Sequence, residues 1–162
     1  MNFRAPALPL THPAGLVATW FGTGLMPLAP GTWGSLAALP FAWCIAWAGG
    51  IWALAAAVVA ITLVGIWAAE RYIRALGRED PGDVVVDEVA GQWLTLLPAA
   101  TDIGLFAAGF VLFRIADILK PWPASWADRR LHGGLGCVLD DLIAAVYSAL
   151  ALLGLRLLGE AL

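Results

Sequence analysis

Ile51-Trp-Ala-Leu-Ala-Ala-Ala-Val-Val-Ala-Ile-Thr-Leu-Val-Gly-Ile-Trp-Ala-Ala69 is the stretch on which the fold turns. Its nineteen residues carry no charge and are broken only by Thr62 and Gly65. Wound as an α-helix at 1.5 Å per residue, the stretch measures roughly 28 Å, enough to cross a bilayer's hydrocarbon. Gly49-Gly50 immediately before it marks a tight turn, and Gly34 to Ala48 is a second apolar run on the other side of that turn. The two read as a helical hairpin. Outward from it the character persists, for no Asp, Glu, Lys or Arg occurs from Ala5 to Ala69. Leu142 to Leu158 is a third long apolar run, with Arg156 near its end, where a long side chain can snorkel.

Composition agrees. Of 162 residues 61% are apolar and 13% charged, the formal net charge is -3, and the mean hydropathy is +0.83. A soluble domain carries about 25% charged residues, so this chain cannot cover a water-facing surface with polar groups. Disorder and an ordinary soluble globule are excluded, and nine scattered basic residues do not make a nucleic-acid footprint. The length suits a single membrane-embedded domain over 1–162 with a short N-terminal tail over 1–13. No apolar core follows Arg4 directly, so no cleaved leader is read there. Cys44 and Cys137 form no metal-binding pair and no disulfide framework, and Cys44 reads as a small buried hydrophobe.

Two polar islands interrupt the apolar runs. Glu70 to Glu88 holds Arg71, Arg74, Arg78 and six acids; Arg114 to Asp141 holds Lys120, Arg129, Arg130, Asp117, Asp128, Asp140 and Asp141. Between them Val89 to Phe113 is apolar except for Asp102, with Pro98 nearby. A full crossing by this segment would divide the basic residues five against four. A re-entrant or short helical hairpin around Pro98–Asp102 would leave only Arg156 on the far side, eight against one. The positive-inside rule selects the second arrangement. The expected fold is therefore an all-α integral membrane bundle with both islands at one, cytoplasmic, mouth.

Four stretches have the wrong composition for plain anchoring. Gly22-Thr-Gly-Leu-Met-Pro-Leu-Ala-Pro-Gly-Thr-Trp-Gly-Ser35 frees the backbone for close approach, and Ser35 is placed as the N-cap of the first long helix. It reads equally as a capped turn, and it is not a P-loop, because no Gly-Lys-Ser/Thr follows. Asp83-Val-Val-Val-Asp87-Glu88 clusters carboxylates that on one helix would share a face, although three valines disfavour helix. Its plain alternative is a solvated acidic helix start. Phe113-Arg-Ile-Ala-Asp-Ile-Leu-Lys-Pro-Trp-Pro123 spaces Arg114, Asp117 and Lys120 three apart along one stripe, in a helix that Pro121 ends. An interfacial ladder of ion pairs anchored by Trp122 and Trp126 has the same pattern. His132-Gly-Gly-Leu-Gly-Cys-Val-Leu-Asp-Asp141 sets two acids ahead of the last membrane helix, where negative charge is mildly favourable in itself.

Singly these features are ordinary; together they are not. Anchoring does not require Asp87, Glu88, Asp117, Asp140 and Asp141 to border one bundle mouth, and ionisable groups near a membrane interior mark function. An oxygen-rich cluster suits Mg²⁺, which keeps waters while bridging carboxylates to phosphate. Arg114, Lys120, Arg129 and Arg130 supply the positive field a phosphate monoester needs. Cys-x5-Arg and Asp-x-Asp motifs are both absent, and two histidines cannot build a multi-histidine site. Metal-assisted displacement remains, with a carboxylate either as base toward water or as nucleophile.

Gly24 to Leu36, Val86-Asp-Glu88, Phe113 to Pro123 and His132 to Asp141, taken in order, resemble the phosphatidylglycerophosphatase A family. The resemblance runs from about Gly22 to Ala149, with departures at Ala116 and Ala145, where the family usually carries a larger apolar residue and a glycine. It implies a Mg²⁺-dependent lipid phosphatase of the bacterial inner membrane, with phosphatidylglycerol phosphate as substrate on the route to cardiolipin. It implies further that Asp87, Glu88, Asp117, Lys120, Asp140 and Asp141 carry the activity, with Thr32 and Ser35 in the glycine-rich loop. Combining both readings, Asp87, Glu88, Asp117, Asp140 and Asp141 collect one or two Mg²⁺ ions, while Arg114 and Lys120 hold phosphate. The rival from another class is an ion-coupled transporter using the same carboxylates, which would normally be built from inverted repeats; none is visible here. A non-enzymatic membrane scaffold would leave the acids unexplained. Oligomeric state is not legible.

Overall fold

Proline and glycine set the ends of the first long helix. A computed structural model describes residues 6–77 and 81–161; Arg4, Arg78, Glu79 and Asp80, which entered the charge count and the first polar island, lie outside them. Six α-helices follow one another: α1 (Pro13–Ala18), α2 (Pro30–Leu76), α3 (Val86–Thr95), α4 (Ile103–Leu119), α5 (Ala124–Arg130) and α6 (Gly133–Ala161), with no strand among the described residues. Pro30 occupies the first helical position of α2, where its missing N–H costs nothing, and Gly77 closes the helix at φ 68°. Ser35 is therefore not the N-cap. The helix starts five residues earlier, behind Ala29 at φ 48°, and Ser35 sits buried inside it.

The predicted hairpin is present within α2. Gly50, at φ 66° and ψ -162°, breaks the helical path, a left-handed conformation that glycine adopts without strain. It separates a first arm, 30–49, from a second, 51–76. A methyl group added at Gly34, sixteen residues before the break, would meet Val85; one added at Gly65, fifteen after it, would meet Val86. Adjacent valines touch both arms, so the arms run back alongside one another.

The second hairpin is α3 and α4. Asp102 caps α4 by accepting the Leu105 amide at 2.8 Å, and α4 ends at Lys120 (φ 43°) before Pro121. The chain turns through Leu97–Ala99, and the Pro98 carbonyl accepts a 2.9 Å hydrogen bond from Arg156 Nη1. Arg156 lies fifteen residues beyond Asp141 on α6, and Asp102 lies fifteen before Asp117 on α4. Each spacing is about 22 Å of helix. The turn thus reaches the end of the bundle opposite the carboxylates, where Asp102 is exposed, and the described residues of both polar islands share the near end.

α2 and α6 are long and apolar enough to cross a membrane. Their outward faces are hydrocarbon: Trp47, Val59, Leu63, Leu150 and Leu158 are exposed, and Trp52 is 83% exposed. So large an apolar surface marks contact with lipid rather than water. Cys44 is exposed too. A buried Cys44 was the expectation, but the first arm turns its small-residue stripe inward instead. Ala38, Ala42 and Ala46 pack on Val89, Trp93 and Leu96 of the α3 hairpin, and Trp93 Nε1 donates to the Ala38 carbonyl at 2.9 Å. Small residues let such helices approach closely where lipid supplies no hydrophobic drive. Beside the second arm, α1 and the preceding residues dock through Ala14, Ala18 and the Ala7 amide, which donates to Tyr72 Oη at 3.0 Å. Ala7 and Leu8 of the expected tail pack here, while its other described residues are exposed.

Candidate active site

Residues of α2 to α6 and the segments between them meet at one cavity, of about 480 Å³. Asp87 and Glu88 stand in the first turn of α3, which begins only at Val86; Asp83 precedes the helix and shares no helical face with Asp87. Arg114 and Asp117 come from the last turns of α4, and Lys120 from its cap. Asp140 and Asp141 were expected ahead of α6, yet that helix begins at Gly133 and places them in its third turn. The reason is tertiary. A side chain at Gly134 would collide with the Ile66 carbonyl and Glu70, so glycine lets α6 start against α2, where Glu70 Oε2 accepts the Gly134 amide at 2.8 Å.

The carboxylates divide into two groups. Oxygens of Asp87, Glu88 and Asp141 all lie within 4.8 Å of one another. Asp117 Oδ2 instead pairs with Arg114 Nη1 at 2.7 Å, and Lys120 Nζ bridges Asp128 and Asp140. Arg114 Nη1 also donates to Ser35 Oγ at 3.3 Å, and that hydroxyl donates to the Gly31 carbonyl at 2.9 Å. Gly31 has no side chain because Glu88 and Arg114 occupy the space. Within the core of the cluster, Asp87 Oδ1 accepts the Glu88 amide at 3.0 Å, and Cys137 Sγ donates to Asp87 Oδ2 at 2.9 Å.

Electrostatics leave this arrangement short of positive charge. Among the described residues, six carboxylates but only two cations, Arg114 and Lys120, line the cavity. Burial raises the carboxyls of Asp87 and Glu88, in the short α3 outside the two long apolar helices, and neighbouring acids push Glu88 up further. Burial pulls the Lys120 ammonium down, but Asp128 and Asp140 outweigh it and hold its pKa above the ordinary lysine value. Glu88 Oε2, Asp140 Oδ1 and Asp141 Oδ2 are buried without a hydrogen-bond donor. A buried acceptor left bare costs about 1–3 kcal/mol, more when charged. A divalent cation among Asp87, Glu88 and Asp141 would satisfy the Glu88 and Asp141 oxygens and offset the repulsion, and an all-oxygen donor set suits a hard ion.

Not every expected residue arrives. Asp87, Glu88, Arg114, Asp117, Lys120, Asp140 and Asp141 line the cavity. Ser35 touches it through Arg114, and His132 lies at its rim. Thr32 is half-buried near the start of α2, and Arg129 and Arg130 are exposed at the end of α5; none of the three is among the lining residues. Two lining residues, Cys137 and Asp128, take no role in the site from sequence alone, and Gln92 lies outside the lining. Cys137 stands one turn before Asp141 on α6, a spacing that could have flagged it, and Asp128 faces Lys120. Gln92, one turn after Glu88, is fully buried with neither amide atom hydrogen-bonded.

The chain is 43% identical over 144 residues to phosphatidylglycerophosphatase A of Escherichia coli, covering 88% of this chain and 83% of the relative. It is 40% identical over 140 residues to a Bacteroides thetaiotaomicron protein provisionally named phosphatidylinositol-3-phosphatase, covering 82% and 87%. It is 33% identical over 151 residues to phosphatidylglycerophosphatase A of Haemophilus influenzae, covering 92% of each. No solved structure gives a significant match, and no finding points to a transporter. The family model for phosphatidylglycerophosphatase A matches residues 16–156, a span that holds every charged residue of the cavity. The chain belongs to the phosphatidylglycerophosphatase A family.

Proposed function

We propose that this chain hydrolyses the phosphate monoester of phosphatidylglycerol phosphate with Mg²⁺, releasing phosphatidylglycerol and inorganic phosphate at the cytoplasmic face of a bacterial inner membrane. The observation that carries the reading is the meeting of Asp87, Glu88 and Asp141 within 4.8 Å, with bare buried oxygens, beside Arg114. Family membership supports the reaction class. The charge distribution supports the orientation, because Arg71, Arg74, Arg114, Lys120, Arg129 and Arg130 lie toward the cavity end and Arg156 at the other.

The two carboxylate groups take different tasks. Asp87, Glu88 and Asp141 would hold Mg²⁺. When bound, the ion neutralises phosphate oxygens and acidifies water. Asp117 and Asp140 orient the cations: the first fixes Arg114 toward the cavity, and the second fixes Lys120 together with Asp128. Arg114 and Lys120 bind the phosphate oxygens and carry the charge that develops on them. Asp140 keeps Oδ1 bare while Oδ2 is held by Lys120, and this oxygen accepts the proton of the attacking water. Water oxygen bonds to phosphorus, the bond from phosphorus to the glycerol oxygen breaks, and the proton taken up by Asp140 passes to that leaving oxygen.

The test is phosphate release from phosphatidylglycerol phosphate in mixed micelles, with Mg²⁺ and with a chelator. Release that depends on Mg²⁺ is expected. Silence under both conditions overturns the phosphatase reading, and equal release under both overturns the metal.

A further inference from the structure

Below the polar cavity, the seam between the first arm of α2 and α4 stays open as an apolar groove of about 550 Å³. Its walls include Leu39 and Trp43 on α2 and Ile103 and Ala107 on α4. The groove and the cavity share no lining residue, but both lie along α2 and α4. The hydrogen bond from Arg114 to Ser35 ties the two helices at the top. From Ser35, steps of four residues lead down to Leu39 and Trp43. From Arg114, steps of seven and eleven lead back to Ala107 and Ile103. Both sets recur at the helical repeat, so they keep the face; Leu39 and Trp43 lie about 6 and 12 Å below Ser35, and Ala107 and Ile103 about 10 and 16 Å below Arg114.

The seam is also open sideways. Ile103 is 75% exposed at the groove, and Leu28 (79%) and Ile118 (70%) are exposed near the cavity end of the same two helices. The same pair of helices therefore presents charge above and hydrocarbon below. We infer that this groove seats one acyl chain of the phospholipid whose phosphate enters the cavity. The inference rests on the phosphatase reading and adds where the lipid lies: between α2 and α4. A glycerol and a phosphodiester separate the terminal phosphate from the chains, which accounts for the vertical offset between cation and groove. A second groove of about 420 Å³, between the second arm of α2 and α6, serves as the internal control.

The direct experiment uses wild-type protein in phosphatidylcholine vesicles with phosphatidylglycerol phosphate bearing a diazirine in its acyl chain. Labelling of 36–43 and 103–107 is expected, displaced by unlabelled phosphatidylglycerol phosphate and not by further phosphatidylcholine. Labelling that phosphatidylcholine displaces equally assigns the groove to bulk lipid and overturns the inference. So does labelling confined to the α2–α6 groove, or cross-linking that shows a second copy on the seam. As a functional arm, Ala107→Trp fills the groove. It should cut kcat/KM for the dipalmitoyl lipid about tenfold, the factor that 1.4 kcal/mol of contact represents, and spare the dihexanoyl lipid. Equal loss on both lipids from a folded variant contradicts the groove. Specific labelling without phosphate release removes the phosphatase reading alone; release without specific labelling removes the groove alone.

Discussion

Replacing Gly31 by alanine adds one methyl group at the mouth of the carboxylate cluster. The new carbon would overlap Glu88 Oε1 and lie 3.1 Å from Glu88 Cδ and 3.3 Å from Arg114 Nη1. Backbone is not what it strikes, so the flexible Glu88 side chain yields, by about 1 Å, while the helices keep their packing. Misplacement of a catalytic group on that scale costs about 10²-fold in rate, or about 2.7 kcal/mol of barrier. Stability should move the other way, because alanine favours a helix over glycine by up to about 1 kcal/mol. Phosphate release from phosphatidylglycerol phosphate micelles gives the first quantity and thermal unfolding in detergent gives the second. Gly154→Ala, in α6 with nothing near its added carbon, is the control and should leave turnover unchanged. Retention of activity within about threefold by a folded Gly31→Ala protein, under 1 kcal/mol of barrier, would refute the placement of Glu88 in the reacting cluster.

Asp141→Asn and Asp117→Asn should each abolish phosphate release while the protein still partitions into membranes; turnover at the wild-type rate in either would remove that residue from the site. Cys137→Ser keeps a donor for Asp87 and should retain most activity, whereas Cys137→Ala should lose about tenfold, as expected for a hydrogen bond to a charged group. Equal rates for the two variants would make the thiol incidental. Arg156→Ala leaves the Pro98 carbonyl without its partner at the far end of the bundle and should lower stability by about 1 kcal/mol. Because the cavity is about 22 Å away along α6, turnover per folded molecule should not change, and a selective loss of rate would contradict the separation of the two ends.

What could be read without coordinates follows a physical division. Gly49-Gly50, the long apolar runs and Pro121 act locally, so the hairpin and the end of α4 were legible. The starts of α2 and α6 were not, because they depend on Ala29 entering a left-handed conformation and on Gly134 pressing against Ile66. Buried charge is costly in an apolar chain, so Asp87, Glu88, Asp117, Asp140 and Asp141 stood out by type. Their division between an open cluster and two cation clamps depends on helix rotation, which spacing alone does not fix. Cys44 was misjudged because lipid, unlike water, does not drive an apolar residue inward.

Binding of Mn²⁺, followed by electron paramagnetic resonance as a stand-in for Mg²⁺, tests the central claim most directly. One or two ions held by the wild-type protein and released by chelator, with the binding lost in Asp141→Asn and Glu88→Gln, is the predicted result. Binding that is unchanged in both variants, or none in the folded wild-type protein, would contradict a cation held where α3 and α6 meet.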